Sequence, residues 1–279
     1  MAQPIVAAAD GSNAANTAVQ WAAGDARRRR LPLKVVHVCE GRLVGFDTRK
    51  SCEETVAAAA DRARAAGGEV EVSTEMLSGN VVEALIGQSL SADSLVLGNR
   101  GRGGFTGLLL GSVSMAVAGH AAGPVVIVRE SVVTEHGRIV VGDDGSDYAA
   151  QAVAYAVEQA RARRASLAVV YAWNMPMVSA YASGYSDLLE NASRQDSRKA
   201  QERVVRWRRD HSDIEIDDQQ VCEHPVLALV NASAAADLVV VGSRGLGGFT
   251  SAMLGSVGHG VLHRAACPVA IVRPRGETS

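Results

Sequence analysis

Lysine is nearly absent. The chain has 279 residues and 28 basic side chains, yet its only lysines are Lys34, Lys50 and Lys199. None lies near a glycine-rich segment, which excludes the phosphate loop in which Gly-Lys-Ser/Thr follows four residues after a glycine. Cysteine is also scarce. Cys39, Cys52, Cys222 and Cys267 are widely spaced, with no C-x-x-C pair. Their spacing fits no zinc finger or ribbon, and they read as reduced, mostly structural thiols. No apolar run approaches a membrane span. The first residues, Met-Ala-Gln-Pro-Ile-Val, carry neither a basic n-region nor a signal h-region, so the expectation is a cytoplasmic chain. Large net charge is missing too. At −2 there is no global attraction to nucleic acid or to anionic membrane. The run Arg27 to Arg30 reads as the solvated C-terminal end of a helix, where cations favour the dipole.

What the chain does have, it has twice. Ile5-Val-Ala-Ala-Ala-Asp10-Gly-Ser is matched by Ile139-Val-Val-Gly-Asp-Asp144-Gly-Ser, and Leu33-Lys-Val-Val-His-Val38 by Leu167-Ala-Val-Val-Tyr-Ala172. Pro124-Val-Val-Ile-Val-Arg129 returns as Pro268-Val-Ala-Ile-Val-Arg273. The second copy is longer between its second strand and its glycine loop, and the extra residues fall at Asn174 to Ser186. That segment is a lid over the second site or a plain surface loop. Each copy reads as five strands alternating with four helices. The strands are short Val, Ile and Leu runs with little alternation, as in parallel strands buried on both faces. Ala-rich helices are expected at Asn13 to Arg30, Glu53 to Ala66, Tyr148 to Arg164 and Leu188 to Arg209. This is the pattern of an α/β chain with parallel sheets and helices on both faces. The boundary falls near Glu130 to Gly137, and the last strands, Val125 to Val128 and Val269 to Val272, are candidates to pair at their edges.

The chemistry lies in a repeated glycine pattern. Gly98-Asn-Arg-Gly101 is followed after nine residues by Gly111-Ser112, and Gly242-Ser-Arg-Gly245 after nine residues by Gly255-Ser256. Each pattern leaves an apolar strand and opens a helix. Glycines let backbone N–H groups approach an anion, and a serine in the first helical turn adds a hydroxyl beside free N–H donors. Arg100 and Arg244 add positive charge. The alternative is that the glycines only make a tight turn and close helix packing. Asp10 and Asp144 are likewise open between two roles: a cap and turn residue, or a carboxylate that bonds the nucleoside end of a ligand. Asp143 is a neighbouring alternative to Asp144. No convincing general base or acidic pair follows the loops. His120 and His263 do not align with each other and read as solvated or packed histidines.

Strand-Asp-Gly-Ser, the Gly-x2-Gly-x9-Gly-Ser loop and Pro-Val-x-Ile-Val-Arg together resemble the universal stress protein family, in a tandem form with domains at 1–132 and 137–279. The resemblance implies two Rossmann-like domains, each a five-stranded parallel sheet with helices on both faces. The loop is similar to that of the family's ATP-binding branch. It therefore implies binding of ATP or a related adenine nucleotide and a role in stress survival; the absence of a base or acidic pair reads as regulatory, with a slow ATPase or a partner-binding scaffold with non-functional nucleotide sites as the alternatives, and Mg²⁺ would arrive with ATP. It also implies dimer-like pairing of the two domains, with a homodimer of chains and an unidentified protein partner left open. Carried over by position, Asp10 and the backbone at Val38 meet the nucleoside, while Leu97, Gly98, Arg100, Gly101, Gly111, Ser112, Val113 and Ser114 line the phosphate side. The second set is Asp144, Ala172, Val241, Gly242, Arg244, Gly245, Gly255, Ser256, Val257 and Gly258. Ser114 is matched by Gly258, so the second site lacks one hydroxyl. Losing a hydrogen bond to a charged phosphate costs about 1.5–3 kcal/mol, which sets the two affinities apart.

Overall fold

The computed structural model describes residues 2–39, 46–101, 110–129, 135–173, 183–246 and 254–275. Most of the segment Glu130 to Gly137, and residues 174–182 of the extra segment, lie outside the described residues.

In the first repeat the chain runs β1 (Ile5–Ala8), α1 (Asn13–Arg29), β2 (Leu33–Cys39), α2 (Phe46–Gly67), β3 (Val72–Ser78), α3 (Val81–Ser89), β4 (Ser94–Gly98), α4 (Ser112–His120) and β5 (Pro124–Val128). In the second it runs β6 (Arg138–Gly142), α5 (Asp147–Arg163), β7 (Ser166–Ala172), α6 (Ser183–Asp210), β8 (Ile216–Val221), α7 (Pro225–Ser233), β9 (Leu238–Gly242), α8 (Ser256–Arg264) and β10 (Val269–Val272). The sequence placed α1 and α5 within a residue at each end. The helix expected from Glu53 begins earlier, at Phe46, and the one expected from Leu188 begins at Ser183, inside the extra segment.

The chain gathers into two compact units. The first holds β1 to β5 with α1 to α4, and its strand order is β3-β2-β1-β4-β5 with β10 beyond β5. All pairings among β1 to β5 are parallel, for the reason the apolar runs suggested: helices cover both faces, so nearly every central strand residue is buried. β10 lies antiparallel to β5, with Val269 opposite Ile127 and Val272 opposite Pro124. The two last strands thus pair as their apolar character led us to expect. The last strand of the second repeat belongs to the first compact unit, so repeat and unit differ at this strand. The second unit holds β6 to β9 with α5 to α8, ordered β9-β6-β7-β8, again parallel.

Alanine lets α1 and α5 sit close to their sheets. Ala14, Ala15, Ala18, Ala22, Ala23 and Ala26 of α1 are buried, as are Ala149, Ala152, Ala156 and Ala160 of α5. Both helices end on an arginine in the left-handed conformation, Arg30 and Arg164, each at φ 54°. Their N–H groups satisfy carbonyls of the last turn, which is a C-cap usually left to glycine. Each helix also buries one polar side chain at the same place in the repeat. Asp25 stands beside Arg29 at 3.7 Å, and Gln159 donates to the Tyr155 hydroxyl at 3.0 Å. Among the described residues no helix is long and apolar enough to cross a membrane.

Candidate functional site

In each unit the chain turns outward from a central strand in both directions. β1 is flanked by β2 and β4, and β6 by β7 and β9. Open parallel sheets bind ligands at such a reversal, outside the carboxyl ends of the strands. Asp10 follows β1 there and the glycine loop leaves β4. In the second unit Asp144 follows β6 and the loop leaves β9.

The aspartates organise the first turn of the adjoining helix. Asp10 Oδ1 accepts from the Ser12 N–H at 2.9 Å and from its hydroxyl at 2.6 Å, and Ser12 in turn caps α1 by accepting from the Ala15 N–H at 3.2 Å. Asp144 repeats this with Ser146 at 3.0 and 2.6 Å, and Ser146 accepts from the Ala149 N–H at 3.2 Å. Asp144 Oδ2 also accepts from the Leu246 N–H at 3.1 Å, which ties the second glycine loop to the end of β6. The capping role of both residues is therefore present, and one carboxylate oxygen of each remains turned to the loop.

Two glycines of each loop are fixed by close approach. A Cβ on Gly98 would stand 2.6 Å from the Ala14 carbonyl carbon, and one on Gly242 would stand 2.9 Å from Tyr148, so α1 and α5 pass directly over these loops. A Cβ on Gly101 would lie 2.7 Å from Asp10 Oδ2, and one on Gly245 would fall on the Asp144 carboxylate. Gly98 and Gly242 are therefore needed for packing with or without a ligand, whereas a side chain at Gly101 or Gly245 would press on the aspartate carboxylate. Gly111 and Gly255 close each loop instead, their N–H groups donating to the carbonyls of Asn99 at 2.7 Å and Ser243 at 2.8 Å.

The loops then deliver the chain to two bare helix ends. Gly111 and Gly255 are the N-caps of α4 and α8, and neither has a side chain to accept from the first-turn N–H groups. The helices α1, α3, α5 and α7 are all capped by side chains, from Ser12, Asn80, Ser146 and His224. Ser112 and Ser256 stand exposed at these bare ends, with Val113 and Val257 half-buried beside them. Orphan N–H donors and the positive end of the helix dipole make such an end a place for an anion. Leu97 and Val241 are buried strand residues, Val38 is buried at the end of β2, and Ala172 is half-buried at the end of β7.

Ser114 behaves differently from a free phosphate donor. Its hydroxyl is buried and donates to the Gly98 carbonyl at 2.7 Å, so it staples α4 to the end of β4. Gly258 cannot make that bond. Arg100 is exposed, whereas Arg244 donates to the Tyr148 hydroxyl at 3.0 Å and lies over its ring, 5.7 Å from the centroid.

Sequence reasoning missed two features. Asp143, set aside as a neighbour of Asp144, is buried and holds Arg203 of α6 through bonds of 2.9 and 2.6 Å. Tyr171 and Trp173 stack at 5.6 Å at the end of β7, and burial pushes the Tyr171 phenol above its usual pKa. A buried acidic residue just after a strand was the available signal for the first. The expectation of four reduced thiols is corrected: Cys39 and Cys52 are joined, their Cα atoms 6.2 Å apart, while Cys222 and Cys267 are free. A disulfide needs that closeness, which a separation of 13 residues does not reveal.

Fold and site define a doubly wound α/β protein built from two copies of one Rossmann-like unit. The model of the universal stress protein family matches residues 1–129 and again 135–273, and the chain belongs to that family. It is 33% identical to universal stress protein Rv2005c of Mycobacterium tuberculosis, over 96% of each chain. A universal stress protein from Archaeoglobus fulgidus shares the fold, with a TM-score of 0.71 at 21% identity, covering 97% of this chain and 98% of that one. A universal stress protein solved in complex with cAMP is 29% identical, covering 46% of this chain and 98% of that one, with a TM-score of 0.40.

Proposed function

We propose that the protein binds ATP, or a closely related adenine nucleotide, at both glycine loops, and that it acts in a stress response as a regulator rather than as a catalyst. Each domain, 1–132 and 137–279, supplies one site. The carrying observation is that, among the described residues, both loops end on helix N-termini without side-chain caps, while α1, α3, α5 and α7 are capped. In this reading the phosphates take the orphan N–H groups of α4 and α8. Ser112 and Ser256 add hydroxyls, and Arg100 and Arg244 add charge. Asp10 and Asp144 face the nucleoside with the carboxylate oxygen turned to the loop, beside the backbone of Val38 and Ala172. Mg²⁺ would come with the phosphates, because Oδ1 of both aspartates is already held by serine. The cytoplasm, where ATP is abundant, is the compartment this reading requires. The bound state would be read by a protein partner.

Glycine substitutions test this poorly, since Gly98, Gly101, Gly242 and Gly245 are crowded by protein atoms. Ser112→Asp and Ser256→Asp are better. A carboxylate in the first turn favours the helix and so preserves the fold, yet it repels phosphate. By calorimetric titration the unaltered chain should bind two ATP, and each variant should weaken its own site by at least about tenfold. Equal binding by the double variant would remove the loops from the site. A chain that binds no ATP would sink the whole reading.

A further inference from the structure

Three side chains, two from one strand and one from a helix, meet beside the first site. His37 and Cys39 stand two residues apart on β2 and so share one face of the strand. Cys52 comes from α2, which packs against β2. One ring nitrogen of His37 and the two sulfurs all lie within 4.8 Å of one another. Among the described residues no other group of three His, Cys, Asp or Glu side chains converges in this way. Both cysteines are buried, and His37 is half-buried. His37 Nδ1 lies 2.7 Å from the Ala9 carbonyl oxygen. A carbonyl only accepts, so Nδ1 carries the proton and the lone pair of the neutral ring is on Nε2. Metal-binding histidines are commonly held this way, with the second nitrogen donating to a carbonyl.

We propose that, once the Cys39–Cys52 bond is reduced, His37, Cys39 and Cys52 hold one zinc ion. Two thiolates and one imidazole form a soft donor set that suits zinc and poorly suits magnesium or calcium. Three protein ligands leave the fourth tetrahedral position to water. Reduction by a dithiol delivers two electrons and two protons to the S–S bond and leaves two thiols, the dithiol itself becoming a disulfide. Zinc binding then releases those two protons as both sulfurs ligate as thiolates. Disulfide and metal therefore exclude each other, since both need the same two sulfurs. The second repeat has Tyr171 and Trp173 where the first has His37 and Cys39, so the chain takes one ion. β2 and α2 bring together three side chains that no finger motif spaces, so the linear spacing carried no sign of this group. The inference stands without the nucleotide reading.

The test uses the full chain, reduced with a phosphine and free of nucleotide. Titrated with Co²⁺, it should develop a sulfur-to-cobalt charge-transfer band that saturates at one ion per chain and is bleached by zinc. Cys39→Ser and Cys52→Ser should abolish the band. His37→Gln should weaken binding by about tenfold or more while the sulfur band survives, and Cys222→Ser should change nothing. If a cysteine variant fails to fold, alkylation of the unaltered reduced chain decides: zinc should protect Cys39 and Cys52 together from iodoacetamide, as read by mass spectrometry. Absence of the band at one equivalent, unprotected thiols, or a disulfide that resists reduction in the folded chain would each overturn the proposal.

Discussion

Where the first repeat has Ala9 and Ala14 beside its glycine loop, the second has Asp143 and Tyr148. The loops share their glycines, their bare helix ends and their aspartate–serine caps. They differ in what surrounds them. The first loop is stapled by the Ser114 hydroxyl, and its arginine is exposed. The second has no such hydroxyl. Instead Tyr148 holds Arg244, and Asp143 anchors α6 through Arg203. The shared course of the loop into its helix has been kept, and side chains around it have been exchanged. Two copies of one loop can therefore share chemistry and still differ in stability and affinity.

The sharpest way to break this comparison is at Asp143. Its side chain is 2% exposed and that of Arg203 is 21% exposed, so removing the cation strands a buried charge. Arg203→Met should cost about 3 kcal/mol in urea unfolding. Asp143→Ala combined with Arg203→Met should cost clearly less. If the single and the double variant lose the same amount, the pair does not carry the difference between repeats.

Ser114→Ala comes next. Loss of its buried hydrogen bond should cost about 1 kcal/mol of stability. With the hydroxyl engaged on Gly98, ATP affinity at the first site should change by less than about threefold. A tenfold loss of ATP affinity without loss of stability would instead make the hydroxyl a phosphate ligand, which is the role the sequence suggested for it.

The smallest effect concerns a surface pair found in the second repeat. Arg161 donates to Asp213 through bonds of 2.5 and 2.9 Å, and this holds the Asp213 carboxyl down at about 2 from its ordinary 3.8. A carboxylate with a depressed pKa contributes its stability above the ordinary value and loses it as pH falls toward the folded one. The contribution should therefore disappear between pH 3.8 and about 2. NMR titration should place Asp213 near the lower value, and Arg161→Gln should return it to the ordinary one. Because the pair is exposed, the effect on stability should be small.

Much of the architecture was legible because its signals are local. Ala-rich stretches with a serine before them and arginines at their ends fix α1 and α5. Short Val and Ile runs without alternation fix the buried strands. The repeat carried both across the chain, so each copy supported the other. The candidate site was legible as a set of positions: two loops, two aspartates and two serines were named from spacing, and each aspartate lies against its loop in the fold. Ser12 and Ser146 cap their helices from positions one residue past a glycine, which is a sequence signature as much as a structural fact. The starts of α2 and α6 were not legible, because residues 40–45 and 174–182 offer no cap or periodicity that marks where a helix begins.

By itself, then, the sequence determined the doubled α/β unit, the parallel strands and the position of each glycine loop, because these follow from propensity, burial pattern and turn chemistry over a few residues. Only the tertiary structure decided that the Ser114 hydroxyl turns to Gly98, that Asp143 needs Arg203 sixty residues away, and that Cys52 on a helix reaches Cys39 and His37 on a strand. Those pairings depend on how a helix is laid against a sheet. That is set by the summed packing of the interior, which no local run of residues encodes.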